Sequence, residues 1–483
     1  MEEQFLYTAA MVRELDRIAI EELGIPGLVL MRRAAQACVE QIVDRGTELK
    51  AVTVFCGNGN NAGDGYIIAG ILADRRYRVQ VIEIGDRQKL GADATAAFEY
   101  CQSTPATFET ADARVSGELI VDALLGTGLT GSVRDNYSQA ISIINDSEKP
   151  VLAVDIPSGI CADTGSVLGV AVVADLTVTF IGRKRGLYTN EGPDHAGSVI
   201  FDSLEVPLDA ARKMGSDAVR VLSPQPLAKR RRNSYKTTHG HVLVIGGDHG
   251  MAGAVIMASE AALRVGAGLV SVATREEHAV ALLARRPEVM VKGVRGRIDL
   301  LPLLERATVL VVGPGLGRSE WSGELFRAAI DSRLPMIIDA DGLNIMAAEG
   351  LKVEHSVLTP HPGEAASLLG GGEIQADRFA ALSSIQQEYG GVVLLKGVGT
   401  IVTDGNEVSL CPYGNPGMAT AGMGDILSGI IGGLLAQGLG HYDAATYGTV
   451  LHAMAGDLAA EGSGERGLIA TDLLPIVRDL VNA

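Results

Sequence analysis

The chain has 483 residues, of which 47% are hydrophobic and 20% charged, and its formal net charge is −17. This composition is typical of a globular protein, and the length predicts two domains of roughly 200–270 residues each. The negative charge argues against a nucleic-acid or anionic-membrane surface. It does not exclude a phosphorylated small molecule, because glycine-rich loops and helix N-termini bind phosphate without net positive charge.

The cysteines and the apolar segments indicate a soluble cytoplasmic protein. The five cysteines are widely spaced and form no CxxC pair. An odd number without a disulfide framework is typical of reduced thiols. Residues 1–15 are acidic and amphipathic, unlike a signal peptide. The most apolar late run, residues 426–439, is too short and too interrupted by glycine to span a bilayer.

Short apolar runs alternate with helical patterns in the first half of the chain. This alternation predicts a doubly wound α/β domain with a mostly parallel sheet. The predicted strands lie at 51–57, 77–85, 118–128, 150–159, 174–182 and 197–207. A helix is predicted from about Gly65. Loops at the carboxyl ends of parallel strands line the ligand crevice, so the segments that follow these strands are the candidates for a site.

Three of these loops combine glycine with polar side chains: GNGNNAGDG (57–65), VDALLGTGLTGSVR (121–134) and VDIPSG (154–159). Asp122 lies in the apolar part of a strand, where a carboxylate is costly unless it is paired or bound to a cation. Asp122 or Asp155 could instead cap a neighbouring loop, and the first loop alone could be an ordinary glycine-rich turn. Together, the Asn, Asp and Ser oxygens suit a hard cation better than zinc.

These three motifs resemble those of the NAD(P)H-hydrate epimerase family, the N-terminal domain of the YjeF type, over most of residues 1–210. The resemblance implies a Rossmann-like domain that interconverts the R and S forms of hydrated NADH and NADPH. It implies potassium ligands at Asn61, Asp122 and Ser158, an acid–base role for Asp122, and a substrate contact at Asp155. It also implies two loops around the dinucleotide, which comprise Asn60, Asn61, Ala62, Gly63, Asp64, Gly126, Thr127, Gly128, Leu129, Thr130, Gly131 and Ser132.

The sequence changes character after Pro207, and this change marks the predicted domain boundary. Residues 208–233 are polar and irregular and include the basic run KRRR, whose shortness favours a solvated linker over a nucleic-acid patch. We therefore expect domains at residues 1–212 and 213–483. A second doubly wound α/β domain is predicted from strands at 240–247, 267–274, 309–315, 335–342, 356–364 and 391–402, with a mainly helical pattern from Thr420.

The last glycine-rich loop of the second half is NPGMATAGMGD (415–425). Gly422 and Gly424 are predicted to precede a helix whose first residues include Asp425. Free N–H groups at that helix start would bind a phosphoryl group, and Asp425 beside them would take a proton from a hydroxyl that becomes phosphorylated. In the alternative interpretation, Asp425 only caps the helix.

The motifs GGDHGMAGA, VVGPGLG, DADGLN, LTPHPGE, LLKGVGT and NPGMATAGMGD resemble those of ADP/ATP-dependent NAD(P)H-hydrate dehydratases, within the ribokinase-like superfamily. The resemblance implies that the S-hydrate is phosphorylated on its ring hydroxyl and then loses phosphate, with Asp425 as the base and a substrate contact. It implies hydrate contacts at Gly253, Ala254, Leu316 and His361. The nucleotide would lie along Lys396, Gly397, Val398, Gly399 and Thr400, and the phosphoryl group at Gly422 and Gly424.

Several of these residues also have ordinary structural interpretations. His361 could be a loop histidine with a local hydrogen bond, and Lys396 could be a surface lysine. Asp339 and Glu364 could bind Mg²⁺, because phosphoryl transfer needs charge neutralisation, or they could be ordinary loop acids.

The favoured interpretation is a bifunctional repair enzyme. Its first half would epimerise the hydrates NADHX and NADPHX, and its second half would dehydrate the S-hydrate at the expense of ADP or ATP, with the fused architecture favouring ADP. The alternative is a small-molecule kinase of the ribokinase-like superfamily with a dinucleotide-binding regulatory domain. We expect K⁺ in the epimerase site, Mg²⁺ with the nucleotide, no nucleic-acid or membrane partner, and a homo-oligomer.

Overall fold

The computed structural model describes residues 4–44, 49–207 and 218–483. The chain divides into two compact units, Met1–Val219 and Arg220–Ala483. The predicted domain boundary, between residues 212 and 213, lies outside the described residues. None of the described helices has both the length and the apolar character needed to cross a lipid bilayer.

The first unit is an α/β structure with a parallel sheet. Its strands are β1 (Phe5–Tyr7), β2 (Ala51–Cys56), β3 (Arg78–Glu83), β4 (Thr107–Thr110), β5 (Leu119–Ala123), β6 (Val151–Val154), β7 (Leu176–Phe180), β8 (Arg183–Lys184) and β9 (Ser198–Asp202). Seven of them form a sheet in the order β4-β3-β2-β5-β6-β7-β9, and every pair in it is parallel. β1 and β8 pair with each other. The α-helices are Ala9–Arg17, Gly27–Asp44, Asn60–Asp74, Ala92–Gln102, Asp135–Asp146 and Gly192–Ala196.

Burial explains why this sheet is visible in the sequence as short apolar runs. Every residue of β2 and of β5 is buried, as expected for parallel strands that helices cover on both faces. All six predicted strands are confirmed, and each ends earlier than predicted because the residues at its carboxyl end belong to a loop. The helix predicted from Gly65 begins at Asn60, with Gly59 as its N-cap. β4 has the polar sequence TFET, so no apolar run marks it.

The second unit has a longer sheet. Its strands are β10 (Val219–Val221, at the unit boundary), β11 (His241–Ile245), β12 (Leu269–Thr274), β13 (Met290–Gly293), β14 (Val309–Val312), β15 (Met336–Ile338), β16 (Ser356–Leu358), β17 (Val392–Leu395), β18 (Thr400–Thr403) and β19 (Val408–Cys411). They lie in the order β13-β12-β11-β14-β15-β16-β17-β18-β19-β10. The pairs from β13 to β17 are parallel, whereas β18 is antiparallel to both β17 and β19.

The helices of this unit are Ala252–Val265, Ala279–Arg285, Arg297–Leu304, Glu320–Asp331, Asp341–Glu349, Pro362–Leu368, Arg378–Tyr389, Met423–Ala436, His441–Ser463 and Leu473–Leu480. The predicted second α/β domain and its helical end are therefore confirmed. One segment differs, because the run 391–402 contains two antiparallel strands, β17 and β18, joined by residues 396–399.

The helix Met423–Ala436 is the central helix of the second unit, and most of its residues are buried. It packs so closely against the helix Ala252–Val265 that a Cβ atom on Gly429 would lie 2.1 Å from the carbonyl oxygen of Ala258. The apolar run that begins at Ile426 is therefore the sequence of a helix buried on nearly all sides.

Replacing Gly429 with alanine should destabilise the second unit by about 1–3 kcal/mol, because the new methyl group meets backbone that has to move. Gly462 is the matched control, since it is also helical but exposed, with open space where a Cβ atom would lie. Gly462→Ala should stabilise the unit by about 0.5–1 kcal/mol. Urea unfolding followed by the fluorescence of Trp321, the single tryptophan of the chain, measures both changes. Equal midpoints for the two variants would contradict this packing.

Candidate active sites

The carboxyl ends of β2 and β5 bring two of the predicted loops of the first unit together. A Cβ atom on Gly57, after β2, would lie 2.0 Å from the carbonyl oxygen of Leu124, after β5. Only glycine therefore allows the two loops to approach this closely. Asn61 and Gly126 are also neighbours, because a Cβ atom on Gly126 would lie 3.4 Å from the Cβ atom of Asn61.

Asp122 joins the loop after β5 to the loop after β6. Its side chain has no exposed surface. Its Oδ1 accepts a hydrogen bond from Oγ of Ser158 at 2.6 Å, and its Oδ2 accepts one from the Ser158 N–H at 2.8 Å. Burial raises the pKa of Asp122 to about 6, although the hydrogen bonds from Ser158 and Leu124 lower it. Asp122 thus caps a neighbouring loop and is also joined to Ser158, the second residue of the predicted cation site.

Asn61 has an unusual environment for a polar side chain. It is 8% exposed, and neither its side-chain oxygen nor its nitrogen has a hydrogen-bond partner among the described residues. Oδ1 of Asn58 is likewise buried and has no hydrogen-bond partner among the residues that the structure describes. A buried amide without a partner costs free energy, so these atoms fit a site completed by a ligand. The side-chain oxygens of Asn61, Asp122 and Ser158 are the type of ligand atom that a hard cation such as K⁺ prefers.

A cavity of about 610 Å³ opens beside these loops, a size typical of small-molecule sites. It is lined by most of the residues predicted to contact the dinucleotide, namely Asn60, Asn61, Asp64, Gly126, Thr127, Gly128, Leu129, Thr130, Ser132 and Asp155. Ala62, Gly63 and Gly131 do not line it. Asp122 and Ser158 do not line it either, so the acid–base role predicted for Asp122 lacks direct access to a ligand in this cavity.

Two cavity residues that the sequence did not indicate are Asp16 and Lys184. The side chain of Lys184 is 1% exposed. It donates hydrogen bonds to Oδ1 of Asp155, to Oγ1 of Thr179 at 3.1 Å and to the carbonyl oxygen of Phe180 at 2.9 Å. Asp155 itself has a φ of +68°, which is strained for a residue with a side chain. The predicted substrate contact at Asp155 is therefore a carboxylate held in place by a buried lysine.

Asp16 and Asp64 add two more acidic groups to the same cavity. Burial raises the pKa of Asp16 to about 6; Lys184 lowers it and Asp155 raises it. Burial also raises the pKa of Asp64, and the charges of Asp155 and Asp16 add to this effect. The helical position of Asp16, four residues after the buried Val12, is a weak sequence signal, and nothing sets Lys184 apart from its basic neighbours in GRKRG.

In the second unit, the helix Met423–Ala436 begins directly after Gly422, whose φ is +91°. Gly424 and Asp425 are the second and third residues of the helix, so the prediction that Gly424 precedes it was wrong. The helix starts early because the left-handed conformation of Gly422 already ends the preceding turn. The first N–H groups of a helix have no partner within it and can bind an anion.

Asp425 is not the N-cap of this helix, because Gly422 holds that position and Asp425 is the third residue of the helix itself. The capping interpretation is therefore wrong. Asp425 is half-buried. Burial raises the pKa of Asp425 to about 7; the charge of Asp339 adds to this effect and that of Lys396 opposes it. A carboxylate with a pKa near neutral pH is suited to act as a general base.

Lys396 is a buried ion-pair partner and not a surface lysine. Its Nζ donates a hydrogen bond to Oδ1 of Asp339 at 2.9 Å and lies 3.8 Å from Oε2 of Glu364. The side chain of Lys396 is only 20% exposed. A Cβ atom on Gly424 would lie 3.2 Å from its Nζ, so the ammonium group lies next to the helix start.

Asp339 is 1% exposed and has several donors. Besides Lys396, Oγ1 of Thr359 donates to it at 2.9 Å and Oγ of Ser428 at 2.7 Å. Burial alone would raise the pKa of Asp339, but Lys396 and these hydrogen bonds lower it. With Lys396 between them, Asp339 and Glu364 do not fit a protein-held Mg²⁺. No group of three or more His, Cys, Asp or Glu side chains that could hold a metal occurs in the described ranges.

The predicted nucleotide loop, residues 396–400, is held from the interior of the unit. The buried Arg378 donates hydrogen bonds to the carbonyl oxygens of Leu395 and Lys396, both at 3.2 Å, and to that of Val398. The Val398 side chain is 53% exposed, and Gly397 has a φ of +139°. The outer side of the loop therefore presents the backbone of Gly397 and the side chain of Val398.

The stretch before the helix is fixed by Asp457. Its two carboxylate oxygens accept hydrogen bonds from the N–H of Gly414 and from the amide nitrogen of Asn415, both at 2.9 Å. Oδ1 of Asn415 in turn accepts from the N–H of Gly417 at 3.0 Å. NPGMATAGMGD is therefore anchored at both ends, by Asp457 and by the helix that follows.

The four predicted hydrate contacts have different environments. Gly253 is exposed, with no atom within 4 Å of where a Cβ would lie, and Ala254 follows it in the same helix turn. Leu316 is fully buried, so only its backbone could reach a ligand. Nδ1 of His361 accepts a local hydrogen bond from the N–H of Gly363 at 3.0 Å. The ring of His361 is still 55% exposed, so its ligand contact stays a prediction.

Two family models match the chain, one in each unit. The model for NAD(P)H-hydrate dehydratase matches residues 242–478. The model for the YjeF-related protein N-terminus matches residues 27–186. Together with the parallel sheet of the first unit and the mostly parallel sheet of the second, these matches confirm the predicted fold class, a Rossmann-like domain followed by a ribokinase-like domain.

Two relatives match nearly the whole chain. It is 48% identical to the bifunctional NAD(P)H-hydrate repair enzyme of Coxiella burnetii, with 99% of each chain covered. It is 42% identical to the enzyme of the same name from Escherichia coli, over 98% of this chain and 93% of that one. Among solved structures, the ADP/ATP-dependent NAD(P)H-hydrate dehydratase of Bacillus subtilis, co-crystallised with ATP/Mg²⁺, is 26% identical with a TM-score of 0.47, over 53% of this chain and 93% of that one.

Replacing Lys396 with methionine should destabilise the second unit by about 3–5 kcal/mol, because Asp339 is then buried without its cation. The double variant Lys396→Met/Asp339→Asn removes this charge and keeps an acceptor for Ser428, so it should recover most of the loss. Lys292→Met, at an exposed lysine, should stay within about 0.5 kcal/mol of the wild type. Urea unfolding followed by Trp321 fluorescence measures all three. A double variant no more stable than Lys396→Met would show that the buried charge is not the cause.

Proposed function

This chain belongs to the family of bifunctional NAD(P)H-hydrate repair enzymes, and from this premise we propose how each unit performs its reaction. The first unit is the epimerase and the second is the NAD(P)H-hydrate dehydratase. Because the match extends over nearly the whole chain, it favours this function over a small-molecule kinase with a regulatory domain.

In the second unit, Asp425 is the base that takes the proton from the ring hydroxyl of the S-hydrate. The observation that supports this role is the environment of its carboxyl group. That group is half-buried, is not the cap of its own helix, and has a pKa raised by burial to about 7. It lies in the first turn of the helix Met423–Ala436, beside N–H groups suited to a phosphoryl group. Base and anion site thus lie within one helical turn.

The reaction has two steps. The hydroxyl oxygen bonds to the terminal phosphorus of ADP or ATP while the bond from that phosphorus to the leaving nucleotide breaks, and the hydroxyl proton passes to Asp425. The carbon–oxygen bond then breaks, phosphate leaves with the electron pair, and the neighbouring ring carbon loses a proton to form the double bond of the dihydronicotinamide. The helix N–H groups and the ammonium of Lys396 stabilise the charge on the transferring phosphoryl group.

The nucleotide lies along residues 396–400, where Arg378 holds the loop from the interior of the unit. Asp339 and Glu364 flank the ammonium of Lys396, so no dedicated carboxylates remain for Mg²⁺ at this place. We therefore expect Mg²⁺ only as the ion that accompanies the phosphates of the nucleotide. The hydrate contacts at Gly253, Ala254, Leu316 and His361 complete this site.

In the first unit, Asn61, Asp122 and Ser158 hold K⁺. The unpartnered side chain of Asn61 and the buried pair of Asp122 and Ser158 support this assignment. The bound ion supplies a fixed positive charge beside the loops that contact the dinucleotide. Asp122 then acts as a cation ligand, and Asn60, Asp64, Asp155 and the loop 126–132 contact the substrate.

The substrates are NADHX and NADPHX, and the protein acts in the cytoplasm without a nucleic-acid or membrane partner. The net charge of −17 supports the absence of a polyanionic partner. Assembly as a homo-oligomer and the domain boundary at residues 212/213 remain predictions from the sequence.

Asp425→Asn should lower the dehydration of the S-hydrate about 100-fold or more and leave R/S exchange intact, because only the dehydratase loses its base. The return of dihydronicotinamide absorbance with ADP or ATP measures dehydration. Since the base works only when ionised, the wild-type rate should fall as the pH decreases through about 7, and the variant should lack this dependence.

Asp331→Asn is the control for this experiment, because Asp331 is an exposed aspartate of the same unit and should keep full activity. If the wild type recovers no absorbance with either nucleotide, the dehydratase assignment fails. Equal damage to both activities by Asp425→Asn would contradict separate sites.

Exchanging choline chloride for KCl at constant ionic strength should raise the thermal midpoint of the first unit, because an ion that binds only the folded state stabilises it. At one hundred times the dissociation constant the gain is about 2.7 kcal/mol. Asn61→Ala should abolish the rise, and Asn60→Ala, at its exposed neighbour, should keep it. Calorimetry without substrate measures the midpoints. A rise of equal size in both variants would show that K⁺ acts elsewhere.

A further inference from the structure

The cavity of the first unit is lined by four carboxylates as well as three basic side chains. Its charged lining residues are Arg13, Asp16, Asp64, Asp93, Arg134, Asp155 and Lys184. Carboxylates repel the phosphates of a dinucleotide, so their presence is not explained by binding of that part of the ligand. A role in the chemistry at the uncharged hydrated ring explains it better.

Two of the candidate proton donors are already committed to other contacts. Asp155 is paired with Lys184, whose remaining N–H groups bind Thr179 and Phe180. The carboxylate of Asp155 is therefore already bound by an ammonium group. Asp122 has no exposed surface, and its oxygens accept from Ser158 and the backbone, so it does not touch a ligand in the cavity.

Asp16 has neither limitation. It lines the cavity from the helix Ala9–Arg17 and is half-buried. Among the described residues, none donates a hydrogen bond to its carboxyl group, so this group is available to a ligand. The nearby Asp155 and Lys184 form an ion pair with no net charge, and the other charged groups of the lining are Arg13, Asp64, Asp93 and Arg134.

We propose that Asp16 is the catalytic proton donor of the epimerase, the group that protonates the ring hydroxyl of the hydrate as it leaves. This inference rests on the proposed function of the first unit. The lone pair of the ring nitrogen forms a double bond to the hydroxyl-bearing carbon as the carbon–oxygen bond breaks, and the oxygen takes the proton of Asp16 and departs as water. Water then adds to the opposite face of the cationic ring and loses its proton to solvent, from which the carboxylate of Asp16 is reprotonated.

The charges in the cavity agree with this sequence of events. Burial raises the pKa of Asp16 to about 6, so the group exchanges its proton near neutral pH. After it has donated the proton, Asp16 is a carboxylate beside a ring that carries a positive charge, and the attraction stabilises the intermediate. The step consumes no oxidant, reductant or nucleotide.

Exchange of the purified R-hydrate into the S-hydrate, followed by chromatography with the full-length protein and no nucleotide, tests the proposal. Asp16→Asn should lower kcat about 100-fold or more and leave KM within about threefold. The wild-type rate should fall as the pH rises above about 6, because the protonated group is needed, and the variant should lose this dependence. Asp16→Glu should restore part of the rate.

Glu14→Gln, on the same helix but outside the cavity, is the matched control and should keep full exchange. Dehydration of the S-hydrate with nucleotide and the thermal midpoint of the first unit check folding. The proposal is overturned if Asp16→Asn keeps exchange within about threefold, if the loss lies in KM alone, or if Asp64→Asn abolishes exchange while Asp16→Asn does not. A wild type without any exchange would instead refute the epimerase function itself.

Discussion

The buried ion pair between Lys396 and Asp339 is the interaction on which the second site depends. Lys396 follows β17, Asp339 follows β15, and Ser428 from the central helix donates to the same carboxylate. One carboxylate therefore joins three elements whose ends form the site. The pair also sets the local charge, because Asp339 raises the pKa of Asp425 while Lys396 lowers it. The contact that fixes the geometry thus also adjusts the pKa of Asp425, the proposed base.

The first unit uses a similar electrostatic arrangement. Its buried Lys184 binds Asp155 near the strand ends, and Asp16 nearby has a raised pKa. In both units a second carboxyl group lies near a lysine–aspartate pair. The pKa of this second group is raised toward neutral pH, because burial penalises its charged form. In the proposed reactions the substrate decides how this group is used: the ring hydroxyl would give up a proton to Asp425 when it is phosphorylated, and would gain one from Asp16 when it departs as water.

The sequence predicted the features that follow from local patterns. Apolar runs marked the buried strands, and the parallel order implied that the loops of Asp122 and Ser158 would meet. The cluster of Asp16 and Lys184 was not predicted, because its members are far apart in the chain and lack a motif. Exposure was not predictable either: Asp122 was expected to act on the substrate, and the fold buries it completely. Whether Gly424 lies before the helix or inside it depended on the φ of Gly422, which the sequence does not specify.

Arg378 shows that a residue outside the proposed ligand contacts can still support the site. It donates to three carbonyl oxygens of the segment that contains Lys396, from the interior of the unit. A substitution of Arg378 would shift the backbone of that segment. It would not replace any residue that is proposed to contact a ligand. In a survey of natural variants, losses at this position would cluster with those of the proposed nucleotide site, although a map drawn from ligand contacts alone would count Arg378 as ordinary core.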